Sequence, residues 1–526
     1  MRNDPVQLEV FHHRLAAIAE EMGAALIRSS FSPNIKERRD LSCAVFDGDG
    51  EMAAHAAHIP VHLGSTPLSV RAAIGAVRMC PGDVVVLNDP FAGGTHLPDV
   101  TLVMPVFHGR GARPVAYVAN RAHHADVGGM SPGSMPLATE IFQEGIRIPP
   151  IRIVREGNVD ADILALLLAN VRGAVERRGD LRAQIASLET GARRVRELVA
   201  LQGADVVRGS MKALQDYAER LTRAVLRQVP AGVHRADDFL DDDGCGTGPI
   251  RLRVRITIAR GRVRVDFSGS HVQVRGGVNA NYAITLAAVF YVIRCLSPHE
   301  IPANAGILRP VELIAPEGSV VNARFPAAVA GGNVETSQRL VDVLLRAFAR
   351  VLPGRIPAAS NGSMNNVAVG GHDHARGREF AYYETIAGGA GAGPAGPGAS
   401  GLHTHMTNTL NTPVEVLESY YPMRVRSYRL RHGSGGRGRH RGGEGVRREI
   451  ELLAPAQISL LTERRRLRPY GLAGGGPGQR GENLLVRGGR ARKLPAKGTL
   501  EGRAGDRLVV LTPGGGGWGS PRRRRQ

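Results

Sequence analysis

The sequence predicts a mixed α/β (α+β) protein of several lobes, with a long helical hairpin near the middle and a Gly-rich, β-containing C-terminal region. Three observations predict it. Apolar residues recur at spacings of three and four near the N-terminus and again from about 162 to 229. The period changes to two after Gly248. The last third holds the densest runs of the chain's 67 glycines, interleaved with patterned segments. At 526 residues the chain has room for about three domains. We divide it into an N-terminal α/β region with the candidate metal loops (1–160), a helical hairpin (161–230), a central α/β region (231–430), a Gly-rich β-containing region (431–517) and a basic, disordered tail (518–526).

Each element has a local reason. Leu8, Phe11, Leu15, Ile18, Met22 and Leu26 fall on one face of a helix over about 5–29. Residues 41–46 read as a strand, and Asp47-Gly48-Asp49-Gly50 as a tight turn. The two aspartates mimic the start of a calcium loop, but its later ligands are missing. A helix covers about 66–77. The Val84-Val85-Val86 run is a buried strand, and strands are predicted at 100–107 and 114–120. Ile185, Leu188, Ala192, Val195 and Val199 carry the middle helical pattern, which Gly203 breaks in two; a hairpin projecting from the body would suit a subunit interface. Residues 251–258 and 263–267 alternate as a β-hairpin with one wet face. Helices are predicted at about 282–296 and 335–351. The Gly runs at 387–401, 433–445, 471–481 and 514–517 read either as flexible linkers or, as we favour, ordered turns of a β-rich region.

Composition excludes several classes. Apolar residues make up 43% and charged residues 22%, which is ordinary globular usage and not that of a disordered chain. No apolar run reaches the roughly 18–20 residues of a membrane helix, and the N-terminus lacks the pattern of a signal peptide. A cytoplasmic protein is expected. The four scattered cysteines give neither a zinc ribbon nor a disulfide framework. The formal charge is +20, but sixty-four of the 68 basic residues are arginines spread along the chain. That skew reflects composition rather than a binding stripe, and nucleic-acid binding is disfavoured.

Three constellations can carry chemistry. The first is Asn88-Asp-Pro-Phe-Ala-Gly-Gly-Thr-His-Leu-Pro-Asp99, at a strand end, followed by Arg121-Ala-His-His-Ala-Asp126. His96 and Asp99 can bite one metal ion, the two loops would open at one sheet edge, and Asp40 could complete the set. A mixed N/O site of this kind suits Mn, Fe or Zn; the competing reading is that these side chains satisfy backbone groups of buried loops. The second is His55-Ala-Ala-His-Ile-Pro-Val-His62. His58 and His62 have helical spacing, but Pro60 lies between them and the zincin glutamate is absent, leaving pocket-lining and core histidines as equal readings. The third joins Asn361–Asn366 to 401–415, where Asn365, Asn366, His403 and His405 are among many small donors suited to a polar substrate, although holding tight turns is the reading the residues alone favour. No phosphate loop and no nucleophile elbow is present.

These stretches carry a resemblance. DLSCAVFD (40–47), HIPVHLG (58–64), NDPFAGGTHLPD (88–99), RAHHADVGG (121–129), NAGILRP (304–310), GGNVETSQR (331–339) and 361–366 resemble the hydantoinase B/5-oxoprolinase family, also represented in acetone and acetophenone carboxylases; 401–415, 470–476 and 512–517 extend the match over nearly the whole chain. The resemblance implies an ATP-dependent cyclic-amide hydrolase of hetero-oligomeric type. An A-type partner would bind ATP and phosphorylate the substrate, and this chain would complete the hydrolysis of a lactam or imide. It implies a divalent metal (Mn, Zn or Fe) on Asp40, His96, Asp99 and His123, with His124 and Asp126 orienting those ligands. His58 or His62 would move protons, and Asn365, Asn366, His403 and His405 would meet the substrate. The family pattern, as we read it, has Gly in most members where Arg39 stands. The alternatives are a ketone carboxylase component and, in another class, a non-catalytic structural or nucleic-acid-binding protein.

Overall fold

Strand pairing in the N-terminal third sets the frame of the molecule. The computed structural model describes residues 5–521 apart from 110 and 112. Seven strands pair antiparallel in the order Met52–His55, Leu41–Asp47, Ala116–His123, Asp99–Val106, Val84–Leu87, Ile151–Arg155 and Asn158–Val159. Both faces are covered, so the strands are almost wholly buried and lack the alternation of a half-wet sheet. Cys43, Val45, Val100, Leu102 and Val118 point to one core, shared with the helices Pro5–Ser29 and Ala174–Gln202. Ala44, Phe46, Val85, Val103 and Tyr117 point to the other. This is the period-two geometry of strands feeding two separate cores.

The helical segment breaks at Gly203, whose φ of 86° favours glycine. It does not project as a hairpin. Ala174–Gln202 lies on the first sheet through Leu181, Ile185, Leu188 and Val195. Ala204–Gln228 then runs from that core, at Met211 and Leu214, to the second, at Val225 and Leu226. Apolar faces this long are stable only when buried, and the chain buries them internally.

The second sheet is Val311–Ile314, Arg262–Asp266, Ile250–Ala259 and Gly232–Leu240. Ile250–Ala259 alternates buried and exposed as expected. The helices Tyr282–Cys295 and Ser337–Ala349 pack beside it, the second entered through a π-turn at Gly332–Thr336. Two further sheets share the third core: Arg378–Glu384, Asn366–Asp373, Ala456–Leu461 and Lys497–Gly502; and Met423–Arg431, Gly445–Leu452, Arg507–Leu511, Glu482–Arg487 and Arg490–Leu494.

The glycine runs are neither linkers nor turns of a sheet. They are extended segments that bond one another outside any strand ladder. Ala390 N donates to Ala399 O, Gly443 N to Ala390 O, Gly515 N to Gly443 O, Gly436 N to Gly515 O and Gly517 N to Gly476 O, all at 2.8–2.9 Å. Backbones approach so closely that a Cβ on Gly515 would fall 1.9 Å from Ala390 O, and one on Gly391 1.8 Å from Ala358 O. The bundle reaches into the stretch expected as tail: His440 and Trp518 exchange both backbone hydrogen bonds, and Gly519 N donates to Leu472 O. Arg522–Arg525 lie outside the described residues. All four cysteines are free, and no helix among the described residues is long and apolar enough to cross a membrane.

Candidate functional site

Register decides which side chains meet. Asp99 sits opposite His123, and Leu41 opposite Ala122. His123 N donates to Asp40 O at 3.0 Å. Three neighbouring strands thus bring Asp40, Asp99 and His123 to one corner of the first sheet. His96 stands three residues upstream, where its carbonyl accepts from Asp99 N. A single 3-10 turn, Pro60–His62, brings His62 to the same place. Asp40, His62, Asp99 and His123 line a cavity of about 20 Å³, walled by Val61, Met364, Tyr383 and Met406. That volume admits one water-sized occupant.

Within this corner Asp99 Oδ2 accepts from Thr95 Oγ1 at 2.6 Å and lies 3.4 Å from both His62 Nε2 and His96 Nε2. The His96 and His123 rings stand edge to face with centroids 5.0 Å apart. Asp99 Oδ1, His96 Nδ1 and His123 Nε2 are buried without a partner. Burial alone would raise the Asp99 carboxyl; the imidazoles of His96 and His62 overturn that and hold it well below the usual carboxylate range. Burial pushes Asp40 up to about 7, with Arg38 opposing and Asp99 reinforcing the rise. Burial, helped by His96, holds His123 well below the usual imidazole value, and so neutral.

Clustered carboxyls and buried ring nitrogens without partners make a site able to take up positive charge. In kind these donors suit a divalent cation, which Asp40, His96, Asp99 and His123 would hold. Among the described residues, no three His, Cys, Asp or Glu side chains surround a common centre; His62 and His96 each pair with Asp99 instead.

Several residues expected at the site stand elsewhere. His124 follows the strand on the opposite side and bonds Gln184 Oε1 through Nε2, tying the sheet to the helix above it. Asp126 accepts from the amides of Gly128, Gly133 and Arg172 and pairs with the Arg172 guanidinium, so it organises its own loop. Neither orients a ligand of the cluster. His58 accepts from Cys43 N and faces Glu20, against the N-terminal helix. The Asn365 amide spends its donors on Ile386 O and Ser363 O and its acceptor on Arg465. Asn366 is consumed by Glu335, Leu461 O and Tyr383. His403 is half-buried with its Nε2 enclosed and unpartnered, and its imidazole is lowered to about 4 by burial and then by Arg38. His405 lies 3.6 Å from Asp342 Oδ1. Their neighbours Met406 and Thr407 line the cavity; the two histidines do not.

Other side chains do meet the cluster. Asn34 Nδ2 donates to His123 O at 2.6 Å and lies 3.2 Å from His123 Nδ1; its Oδ1 accepts from Arg38. Asn333 Nδ2 lies 3.2 Å from His96 Nε2. Tyr383 stacks on His123. Asn333 belongs to the GGNVETSQR stretch, which assigns it no role; Asn34 and Tyr383 give no sequence signal, because only tertiary packing brings them here.

Arg39, next to Asp40, has a φ of 55°. A left-handed conformation costs a side-chain-bearing residue about 1–2 kcal/mol, a cost that glycine avoids. Arg39→Gly should therefore raise the thermal unfolding midpoint, with a net gain of about 0.5–1 kcal/mol after glycine's entropy loss is subtracted.

The chain matches Hydantoinase B/oxoprolinase over residues 4–521. It is 41% identical to a 5-oxoprolinase of Dictyostelium discoideum over 98% of its length, but spans only 40% of that protein. It is 29% identical to a protein of Pseudomonas sp. strain NS671 described as the B-type subunit of a D-/L-hydantoinase, covering 99% of this chain and 91% of that one. Its fold is similar to the crystal structure of ATP-dependent caprolactamase from Pseudomonas jessenii: TM-score 0.93, 29% identity, 100% of this chain and 92% of the other. Matched from end to end of its described residues, this chain belongs to the Hydantoinase B/oxoprolinase family.

Proposed function

We propose that this chain is the B-type subunit of an ATP-dependent cyclic-amide hydrolase of the 5-oxoprolinase/hydantoinase type. The observation that carries the reading is the meeting of Asp40, His96, Asp99 and His123 at the common end of three paired strands. A relative described as the B-type component of a hydantoinase and a structural neighbour named as an ATP-dependent caprolactamase support it. So does the length of the 5-oxoprolinase outside the matched part, which leaves room for an A-type half.

A lactam resists hydrolysis because its nitrogen feeds electron density into the carbonyl. Phosphorylation of the carbonyl oxygen in an A-type partner would convert it into a leaving group. A divalent ion (Mn, Zn or Fe) held by Asp40, His96, Asp99 and His123 would supply an acidified water and charge for the developing oxyanion. The chain's own residues do the rest. Thr95 fixes Asp99 Oδ2. His62, anchored through Nδ1 on Ser42 Oγ at 2.9 Å, presents Nε2 to Asp99 and is the group that holds or passes a proton there. Val61, Met364 and Met406 keep bulk water out.

Purified with an A-type partner, the chain should open one member of a panel of 5-oxoproline, hydantoin and caprolactam only when ATP is present and without bicarbonate. Elemental analysis should find a divalent metal. Ring opening by this chain alone without ATP, or turnover that needs bicarbonate, would overturn the reading.

A further inference from the structure

The sequence places Asn366 at the substrate, and its actual bonds point to another role. Its Nδ2 donates to Glu335 Oε1 at 2.7 Å and to Leu461 O at 2.9 Å. Its Oδ1 accepts from the Tyr383 hydroxyl at 2.7 Å. Both N–H donors of the amide are spent inside the chain, and its oxygen holds the Tyr383 hydroxyl. Glu335 Oε1 is itself fixed by Met364 N at 3.1 Å. Beyond the hydroxyl, the Tyr383 ring lies parallel to His123, with centroids 4.6 Å apart and planes 7° off.

We propose that Tyr383 is the positioning residue for His123, its ring plane set by the Glu335–Asn366 pair so that the imidazole nitrogen meets the cavity at one angle. The inference rests on the metal reading above. Two observations separate the stack from ordinary core filling. First, the Tyr383 hydroxyl and the whole Asn366 amide are buried and matched atom for atom, which holds a plane and not merely a volume. Second, the Nδ1 edge of the same imidazole lies 3.2 Å from Asn34 Nδ2, and the guanidinium that holds Asn34 also bonds Tyr383. Arg38 bonds Asn34 Oδ1, Asn34 donates to His123 O, and Arg38 also bonds Tyr383 O at 3.1 Å while its guanidinium carbon lies 5.0 Å from the Tyr383 ring centre. His123, Asn34, Arg38 and Tyr383 form a closed ring of contacts. Partners outside a ligand shell that orient a ligand in this way commonly change metal affinity or activity by about 10–100-fold.

Tyr383→Phe tests the relay, because it removes one oxygen and keeps the packing. The purified chain would be dialysed against Mn²⁺ and, separately, Zn²⁺, and then assayed with its partner. We expect about 10-fold weaker metal binding and a similar fall in kcat with KM unchanged. Asn366→Ala should reproduce that pattern, and Tyr383→Ala should reach about 100-fold in affinity. A Tyr383→Phe protein with wild-type metal affinity and kcat overturns the relay and leaves the metal reading standing. A wild-type chain that takes up neither ion overturns the metal reading and the relay together.

Discussion

Asp99→Asn should lower kcat/KM of the reconstituted enzyme by about 10³-fold or more while leaving the fold intact. The exchange keeps the side chain's shape and its packing between His62 and His96. It removes the one carboxylate that geometry holds firmly ionised, since both imidazoles lie 3.4 Å from its Oδ2. Asp99 Oδ1 has no protein donor, so no hydrogen bond inside the chain is lost there. Kinetics with the A-type partner, elemental analysis and circular dichroism on one preparation would check the prediction. A variant that folds, binds no metal and retains full activity would show that the cluster is not where the chemistry happens.

Gly515→Ala is the second large effect, and it acts on the fold. The new methyl would meet Ala390 O at 1.9 Å, with Ala390 C at 2.3 Å behind it. These are backbone atoms already tied into the bundle, so no rotamer change relieves the overlap. We expect destabilisation of about 3 kcal/mol or more, read as a large drop in thermal midpoint or as insoluble expression. Gly396→Ala is the control: its added Cβ has nothing within 4 Å, and it should behave as wild type. If Gly515→Ala unfolds no earlier than Gly396→Ala, the close packing is not structural.

The sequence shows the polar cluster more clearly than its walls. Asp40, Asp99 and His123 are recognisable because short loops beside buried strands are a common way to gather polar groups, and strand register brings them to one corner. The neighbours of those residues in sequence mislead for a physical reason. His124 and Asp126 follow His123 in the chain, but successive residues leaving a strand face opposite ways. One bonds Gln184 and the other a loop of amides. Tyr383, 260 positions from His123, is one strand residue among several, and nothing local marks it. Helices and alternating strands are legible with small shifts at their ends: Pro5–Ser29 and Ile250–Ala259 follow directly from apolar spacing. The hairpin is legible as two helices but not as sheet cover, because periodicity gives the apolar face and not what covers it. The glycine runs are least legible. Composition does not distinguish a chain that is free from one packed too tightly for side chains.

The glycine bundle also bears on heredity. A missense change in the codon of Gly389, Gly391, Gly398 or any of Gly514–Gly517 installs a carbon where neighbouring carbonyls leave no gap. Segments that look like filler should therefore tolerate replacement at these positions as poorly as the apolar interior does, and a saturation mutagenesis map should be nearly blank there.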